Sequence, residues 1–399
     1  MIPLLCQYSI FRNEAEFYRM KERMMPLLDI DEENIPAPET VEDEKKTAVR
    51  MAFLGCGQGG GNLASAFWDI GYRRVGVVNT TSRDMHHISI PESNRYVLKT
   101  GGGGAGKDPL LGRQAVEAES EEIFKLCQNV FKKEIEQVLI CIGAGGGTGS
   151  GGALPLVKLC KEYLISIGVD HPEKKVGVIV TLPTKSESSA VQRNAIETIL
   201  PLLELAEKGQ LSPLVLVDNA RVIQLYGTLS VVDVWQKANS NIAKLFDVFN
   251  ILCAIDDESA HITCDSKDFK SVLASGVLAF GRAKLDKVER STDIADAVRE
   301  NVRKGLLVEG MDISKATAGL ALLVSDQAGL KTVSQEALEA AFGSLNRLMA
   351  QSGETVLHRG VYEAGGPSVH LYTMISNMGR PVLRLREMET KAGSSYPIG

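Results

Sequence analysis

Residues 143–152 read Gly-Ala-Gly-Gly-Gly-Thr-Gly-Ser-Gly-Gly, behind the apolar run Val138 to Ile142 and ahead of a helical pattern from Ala153 to Leu164. The order is strand, glycine loop, helix. A backbone turning there can curl its N–H groups around an anion, and the helix start adds partial positive charge. An ordinary turn needs two or three glycines. This run has seven in ten residues, with Thr148 and Ser150 as hydroxyl donors. It is read as a phosphate cradle.

Working outward, apolar strands alternate with helical patterns from Arg50 onward. Strands are expected at 50–55, 75–79, 96–98, 138–142, 176–182 and 214–218, and helices at 61–70, 112–131, 153–167 and 188–207. Strands separated by helices imply a parallel sheet covered on both faces, with ligands at the carboxyl ends of its strands. Residues 230–252 form one long helix, because Val231, Trp235, Ala238, Ile242, Leu245, Phe249 and Leu252 make a continuous apolar stripe. Helical segments near 268–283 and 291–305 follow, then a strand at 318–325, a helix at 333–349 and strands near 354–362 and 368–376. The fold class is therefore α/β, with a Rossmann-like parallel-sheet domain, a long central helix and a smaller second α/β domain. The boundaries are an extension and linker at 1–48, a phosphate-binding domain at 49–229, the central helix at 230–256, the second domain at 257–379 and a short tail at 380–399. Within the extension, Phe11 to Leu28 can form an amphipathic helix, and Pro36, Pro38 and an acidic cluster at Glu39, Glu42, Asp43 and Glu44 read as linker. The last 20 residues are polar, and Lys391 to Gly399 are expected to be disordered.

Bulk properties narrow the function classes. The net charge of −6 gives no general nucleic-acid surface. The seven cysteines show no CxxC pair and several sit in apolar runs, which suits buried thiols in a reducing compartment. The histidines lack metal-site spacing, and no apolar run reaches membrane-spanning length. The expectation is a cytoplasmic protein with no metal held by side chains.

Two further glycine loops join the first. Gly55-Cys56-Gly57-Gln58-Gly59-Gly60-Gly61-Asn62 satisfies the dinucleotide pattern G-x-G-x-x-G. The acid that holds a ribose at the end of the second strand is missing, since that strand ends Val78-Asn79-Thr80-Thr81. Gly101 to Pro109 nearly matches a P-loop, but Asp108 stands where Ser or Thr would hold magnesium. It is read as a loop around a terminal phosphate, with Lys107 adding charge.

Three glycine loops in this order resemble the tubulin/FtsZ superfamily, over about residues 50–378. Gly59 to Asn62 looks like that family's first loop, Val78-Asn79-Thr80 its second, Gly104-Ala105-Gly106-Lys107-Asp108-Pro109 its third, and Gly145-Gly146-Gly147-Thr148-Gly149-Ser150-Gly151 its most specific. The resemblance implies a GTP/GDP site with Mg2+. It implies a ribose contact from Glu187 in the loop after Leu182-Pro183. The family's Arg four residues later is Val191 here, and Arg193 is the nearest candidate. It implies guanine recognition by Asn219, and by Trp235 and Asn239 one helical turn apart.

Thr263-Cys264-Asp265-Ser266-Lys267-Asp268 is similar to the family's loop that enters the next subunit's site, with Asp265 and Asp268 as its acids and Thr263 replacing an Asn. Alone, D-x-x-D before a helix reads as an N-cap and solvated acids. Its position after the long helix favours the trans-acting reading. Thr317-Ala318-Gly319-Leu320 resembles the second domain's strand start. The implied protein is a divergent prokaryotic or viral GTPase that assembles head to tail with itself. Alternatives are a GTP-binding structural homologue with weak hydrolysis, prompted by Thr263 and Val191, and an NAD(P) oxidoreductase, prompted by Gly55 to Gly60.

Overall fold

The structure is a computed structural model that describes residues 45–99, 103–230, 232–255, 259–303, 310–349 and 353–398. The expected helix at Phe11 to Leu28 and the Pro and acidic stretch after it lie outside the described residues. Six parallel strands form the first half of the sheet: β1 Met51–Cys56, β2 Val75–Asn79, β3 Arg95–Val97, β4 Gln137–Gly143, β5 Val176–Leu182 and β6 Leu214–Asp218. Their order is β3-β2-β1-β4-β5-β6, so the chain reverses direction across the sheet between β1 and β4. Ligands of open α/β sheets bind at such a switch. β1 is buried along its whole length, as a strand covered on both faces must be.

Helices α1 Gly57–Asp69, α2 Pro109–Ala118, α3 Ser120–Phe131, α4 Thr148–Ser166, α5 Ser189–Glu207 and α6 Asn219–Tyr226 connect these strands. The long helix is α7, Asp233–Leu252. From its expected stripe, Ala238, Ile242, Leu245, Phe249 and Leu252 are buried and Trp235 packs partly buried against them. On this face one core runs from Phe53 and Phe67, whose ring centroids are 3.9 Å apart, through Phe246 and Phe249 to Phe269, Phe280 and Tyr372 of the second domain. Lys45, at the end of the expected linker, buries its side chain and pairs with Asp247 of α7 at 2.7 Å.

The second domain holds α8 Ser266–Leu273, α9 Asp293–Arg303, α10 Gln327–Leu330 and α11 Gln335–Met349, with strands β7 Ala260–Ile262, β8 Val277–Leu285, β9 Ala318–Ser325, β10 Val356–Glu363 and β11 Val369–Ser376. β8 pairs with β6, so the two halves of the described chain share one 11-stranded sheet, ordered β3-β2-β1-β4-β5-β6-β8-β11-β9-β10-β7.

Three expectations need correction. The helix expected at 112–131 breaks at Glu119, whose carboxylate is occupied by the Tyr96 hydroxyl and the Lys99 N–H. The segment expected as helix at 268–283 is a short helix followed by β8. Gly276, at φ +66°, ends the helical course, and Val277 to Phe280 is a short apolar run whose periodicity does not separate strand from helix. The stretch 380–399, expected as a short polar tail, instead holds α12, Val382–Ala392, which buries Leu385, Met388 and Ala392 in the core beside α5. Full burial of Leu385 and Met388 stabilises the docked helix by about 2 kcal/mol each.

Candidate functional site

A cleft of about 470 Å³ opens at the carboxyl ends of the parallel strands, a volume within the usual range for a small-molecule site. Its floor is the switch between β1 and β4. The helices leaving those strands, α1 and α4, start without a side-chain cap: neither Cys56 nor Gly147 offers an acceptor to the first turn. By contrast α2 and α6 are capped by Asp108 and Asp218, which accept from Leu110 N and Ala220 N. The orphan N–H groups of α1 and α4 are thus left for an outside acceptor.

The three glycine loops meet here. Gln58, Gly59, Gly104, Ala105, Gly106, Lys107, Gly145, Gly146, Gly147, Thr148 and Gly149 all line the cleft. Thr80 ties two of the loops together. Its Oγ1 lies 2.7 Å from Thr148 Oγ1 and accepts from Ala105 N at 3.1 Å. Asn194 ties loop to loop as well, donating to Lys107 O at 2.9 Å and to Gly145 O at 3.4 Å. Gly104 has φ +85°, which lets the loop curve back over Thr80. Asn79 at the end of β2 donates to Asp84 Oδ2 at 3.2 Å and accepts from Thr80 N at 2.8 Å, so the strand end where a dinucleotide fold places its ribose acid is occupied otherwise.

The glycines divide into two kinds. A Cβ on Gly146 would meet nothing within 4 Å, so this position faces open space. A Cβ on Gly60 would sit 2.0 Å from Cys141 O, which puts Gly60 inside the packing of α1 on β4. Gly60 and Gly61 are buried and do not line the cleft; Asn62 is exposed on α1 outside it. Ser150 is likewise turned inward and donates to Ala144 O. Of the residues expected at the ligand, Gly60, Gly61 and Ser150 thus face the packing of helix on sheet and not the open cleft.

The far end of the cleft is lined by Thr181, Leu182, Pro183, Glu187 and Asn219. Glu187 accepts from Thr184 N at 3.2 Å and keeps its own loop in shape. Val191 is buried, and its Cγ1 would stand 2.4 Å from a Cβ on Gly145, so it closes over the glycine loop where an Arg was expected. Arg193 points away from the cleft and donates to Ala392 O at the end of α12. Trp235 and Asn239 share one face of α7 and are partly buried, but they do not line the cleft.

Asp265 and Asp268 lie outside this cleft. Asp265 caps α8 and accepts from Lys267 N and Asp268 N at 2.7 and 3.0 Å. Asp268 completes the capping box by accepting from Asp265 N, and its other oxygen lies 2.8 Å from His358 Nδ1. The bond from Asp268 N holds the Asp265 carboxyl below its ordinary range. The loop therefore combines cap geometry with one exposed acid, Asp265, and one half-buried acid, Asp268.

Thr181 and Asn194 were not singled out in the sequence. Thr80 was read as part of the loop Val78-Asn79-Thr80, whereas Asn194 reaches the site from α5 through folding alone.

Residues 50–227 match the Tubulin/FtsZ family, GTPase domain. The chain is 24% identical over 340 residues to the "Tubulin-like protein CetZ" of Pyrococcus abyssi, covering 83% of this chain and 86% of that protein. It is 26% identical over 268 residues to the "Cell division protein FtsZ 2" of Methanocaldococcus jannaschii, covering 65% of this chain and 63% of the relative. Among solved structures, a GTPγS-bound protofilament of CetZ2 from Haloferax volcanii aligns at TM-score 0.68 and 21% identity, over 86% of this chain and 99% of the other. GDP-form protofilaments of TubZ from Bacillus thuringiensis align at TM-score 0.73 and 17% identity, over 89% and 93%. The shared glycine loops, the switch-point cleft and these likenesses converge on one stretch of the chain: residues 50–227 match the GTPase domain of the Tubulin/FtsZ family.

Proposed function

We propose that this protein binds GTP in the cleft, polymerises head to tail with copies of itself, and hydrolyses GTP at each subunit contact. The observation that carries the reading is the division of labour within one chain. The cleft holds uncapped helix starts and glycine loops suited to a polyphosphate, while Asp265 and Asp268 sit on a separate exposed loop of the second domain. A head-to-tail contact brings the acids of one copy to the cleft of the next. Such heterologous contacts build open filaments when the rotation does not close.

The donor set fits the anion. Backbone amides dominate, with Thr80 and Thr148 hydroxyls between the loops. The lining carboxylates are Asp84 and Glu187, and Asp84 already accepts from Asn79. That set suits a nucleotide whose Mg2+ rides on its phosphates rather than in a protein cage. When bound, the ion supplies charge neutralisation. Gly146 to Gly149 hold the phosphates, Glu187 addresses the ribose hydroxyls, Asn219 reads the base, and Asp265 and Asp268 of the neighbour orient and deprotonate the attacking water. The proteins matched above include protofilament structures with GTPγS and GDP, which supports the same arrangement here. An NAD(P) oxidoreductase is not favoured, because β2 ends without a ribose acid and the family match is to a GTPase domain.

The test is GTP turnover against protein concentration, with light scattering on the same samples. Specific activity should rise from near zero above a threshold and scattering should need GTP. Turnover independent of concentration, without scattering, would mean that one chain holds a complete site. Scattering without turnover would favour a structural homologue that assembles but hydrolyses poorly.

A further inference from the structure

The C-terminal helix reaches the cleft from behind through one buried guanidinium. Arg384 of α12 is 4% exposed. Its Nε donates to Asp218 Oδ2 at 2.9 Å, and its Nη2 donates to Pro183 O at 2.6 Å. Asp218 is the residue before Asn219 and the cap of α6. Pro183 opens the loop that runs to Glu187, and both Pro183 and Glu187 line the cleft. The two loops at the far end of the cleft are thus joined by one side chain from 166 positions further along the chain.

A second tie reaches the same loop. Glu387, one turn after Arg384, pairs with Lys185 at 2.8 Å and with Arg384 at 3.1 Å. Lys391 donates to Lys185 O. The helix itself is seated by Leu385, Met388 and Ala392 in the core and by the paired Arg380–Glu207 contacts at 2.5 and 2.6 Å. A planar guanidinium meeting a carboxylate and a carbonyl at once fixes the relative placement of both acceptors, which a lysine ammonium does not reproduce. None of these contacts touches the loops at 104–107 or 145–149.

We infer that Arg384 is a positioning residue for the nucleoside half of the cleft: the docked C-terminal helix sets the affinity for base and ribose and leaves the phosphate half unaffected. The inference rests on the reading of the cleft as a GTP site. By linkage the effect is reciprocal, so nucleoside binding holds α12 down as firmly as α12 holds the nucleoside. A partner or modification that lifts α12 would loosen the nucleotide without reaching the phosphates.

The experiment measures binding of GTP and of inorganic tripolyphosphate, both with Mg2+, to the full chain and to Arg384→Lys and Glu387→Gln, each variant checked for cooperative unfolding. Arg384→Lys should weaken GTP about tenfold, the loss of one hydrogen bond to a charged group, and leave tripolyphosphate within twofold. Glu387→Gln should weaken GTP by a smaller factor in the same direction. Equal weakening of both ligands, or GTP binding unchanged in a folded Arg384→Lys chain, overturns the inference. A measurement on the unmodified chain stands beside the variants: hydrogen exchange at residues 382–392 should slow with GTP and not with tripolyphosphate. Equal protection by the two ligands, or none with GTP, also overturns it. If the unmodified chain binds tripolyphosphate but no GTP, the GTP reading itself falls, and this inference with it; failure confined to the variants leaves the GTP reading intact.

Discussion

The two ends of the cleft are built by opposite means. The phosphate end is made of backbone: three glycine loops, two uncapped helix starts and short-range ties through Thr80 and Asn194. The nucleoside end is made of side chains held in place by a helix from the far end of the chain. A backbone site needs close chain approach, so its specification is local and its residues are mostly glycine. A side-chain site needs partners delivered by folding, so its specification is spread over the sequence. The first kind tolerates few substitutions anywhere in its loops; the second can be tuned from a distance.

The largest effect should come from the acids that neither end contains. Asp268→Asn is expected to lower assembly-dependent turnover by about 10²-fold or more while GTP affinity stays within a few-fold, as for loss of an acid–base group. Single-turnover hydrolysis and equilibrium binding on the same preparation check it. If turnover persists, catalysis resides wholly within one chain and the contrast between cleft and acids collapses.

The division among the glycines gives the next largest effect. Gly60→Ala should cost about 2 kcal/mol of stability or more, because its methyl would overlap Cys141 O on β4. Gly146→Ala should leave stability within about 0.5 kcal/mol, since its Cβ meets nothing, yet weaken tripolyphosphate and GTP together. Thermal unfolding and binding separate the two. A ligand effect without a stability effect at Gly60 would undo the assignment of that glycine to packing.

Thr80→Val should have a moderate effect of about 1–2 kcal/mol, because it removes the acceptor of Ala105 N and the partner of the Thr148 hydroxyl. The loss should fall equally on tripolyphosphate and GTP, which marks it as a phosphate-end residue. A loss confined to GTP would move Thr80 to the other end of the cleft.

The smallest effect is expected from Asp265→Asn on stability, because Asn caps a helix start nearly as well as Asp. The folded Asp265 carboxyl lies below its ordinary value. Its contribution is therefore present above the unfolded pKa and lost as pH falls through the folded one. Asp265 is exposed, so that contribution is small and screened. Unfolding near neutral pH should shift by less than about 1 kcal/mol, while acid unfolding loses its Asp265-dependent part. A neutral-pH turnover loss in this folded variant would separate the residue's chemistry from its cap.

These contrasts explain what could be read ahead of the structure. The strands β1, β2, β4, β5 and β6 and the glycine loop at 145–149 between strand and helix were legible because parallel strands and glycine loops carry their signals within a few residues. β8 was not: the apolar start Val277 to Phe280 suits either element, and pairing with β6 and β11 decides it. The helix α12 was missed although Leu385, Met388 and Ala392 lie on one face and Gly393 stops it at φ +67°. Three apolar positions among charged neighbours carry a weak signal until α5 supplies the other half of the core. Arg193 and Val191 show the same limit in the site. A position two residues away in sequence from the expected one lies on another face of the helix, so Arg193 meets α12 and Val191 meets Gly145.

The seam between the domains has a mechanical consequence. The long sheet crosses from one domain to the other through only two register pairs, Leu214 with Val277 and Val215 with Leu278. The stiffness of this seam comes less from its hydrogen bonds than from the core behind it, which runs from Phe67 through Phe246 and Phe249 to Phe280 and Tyr372. Asp218 and Asn219 ride on one side of it and Asp265 on the other. In the proposed filament, a torsion at that seam would turn Asp265 relative to Asn219 and so change the angle between the two surfaces that meet in successive copies.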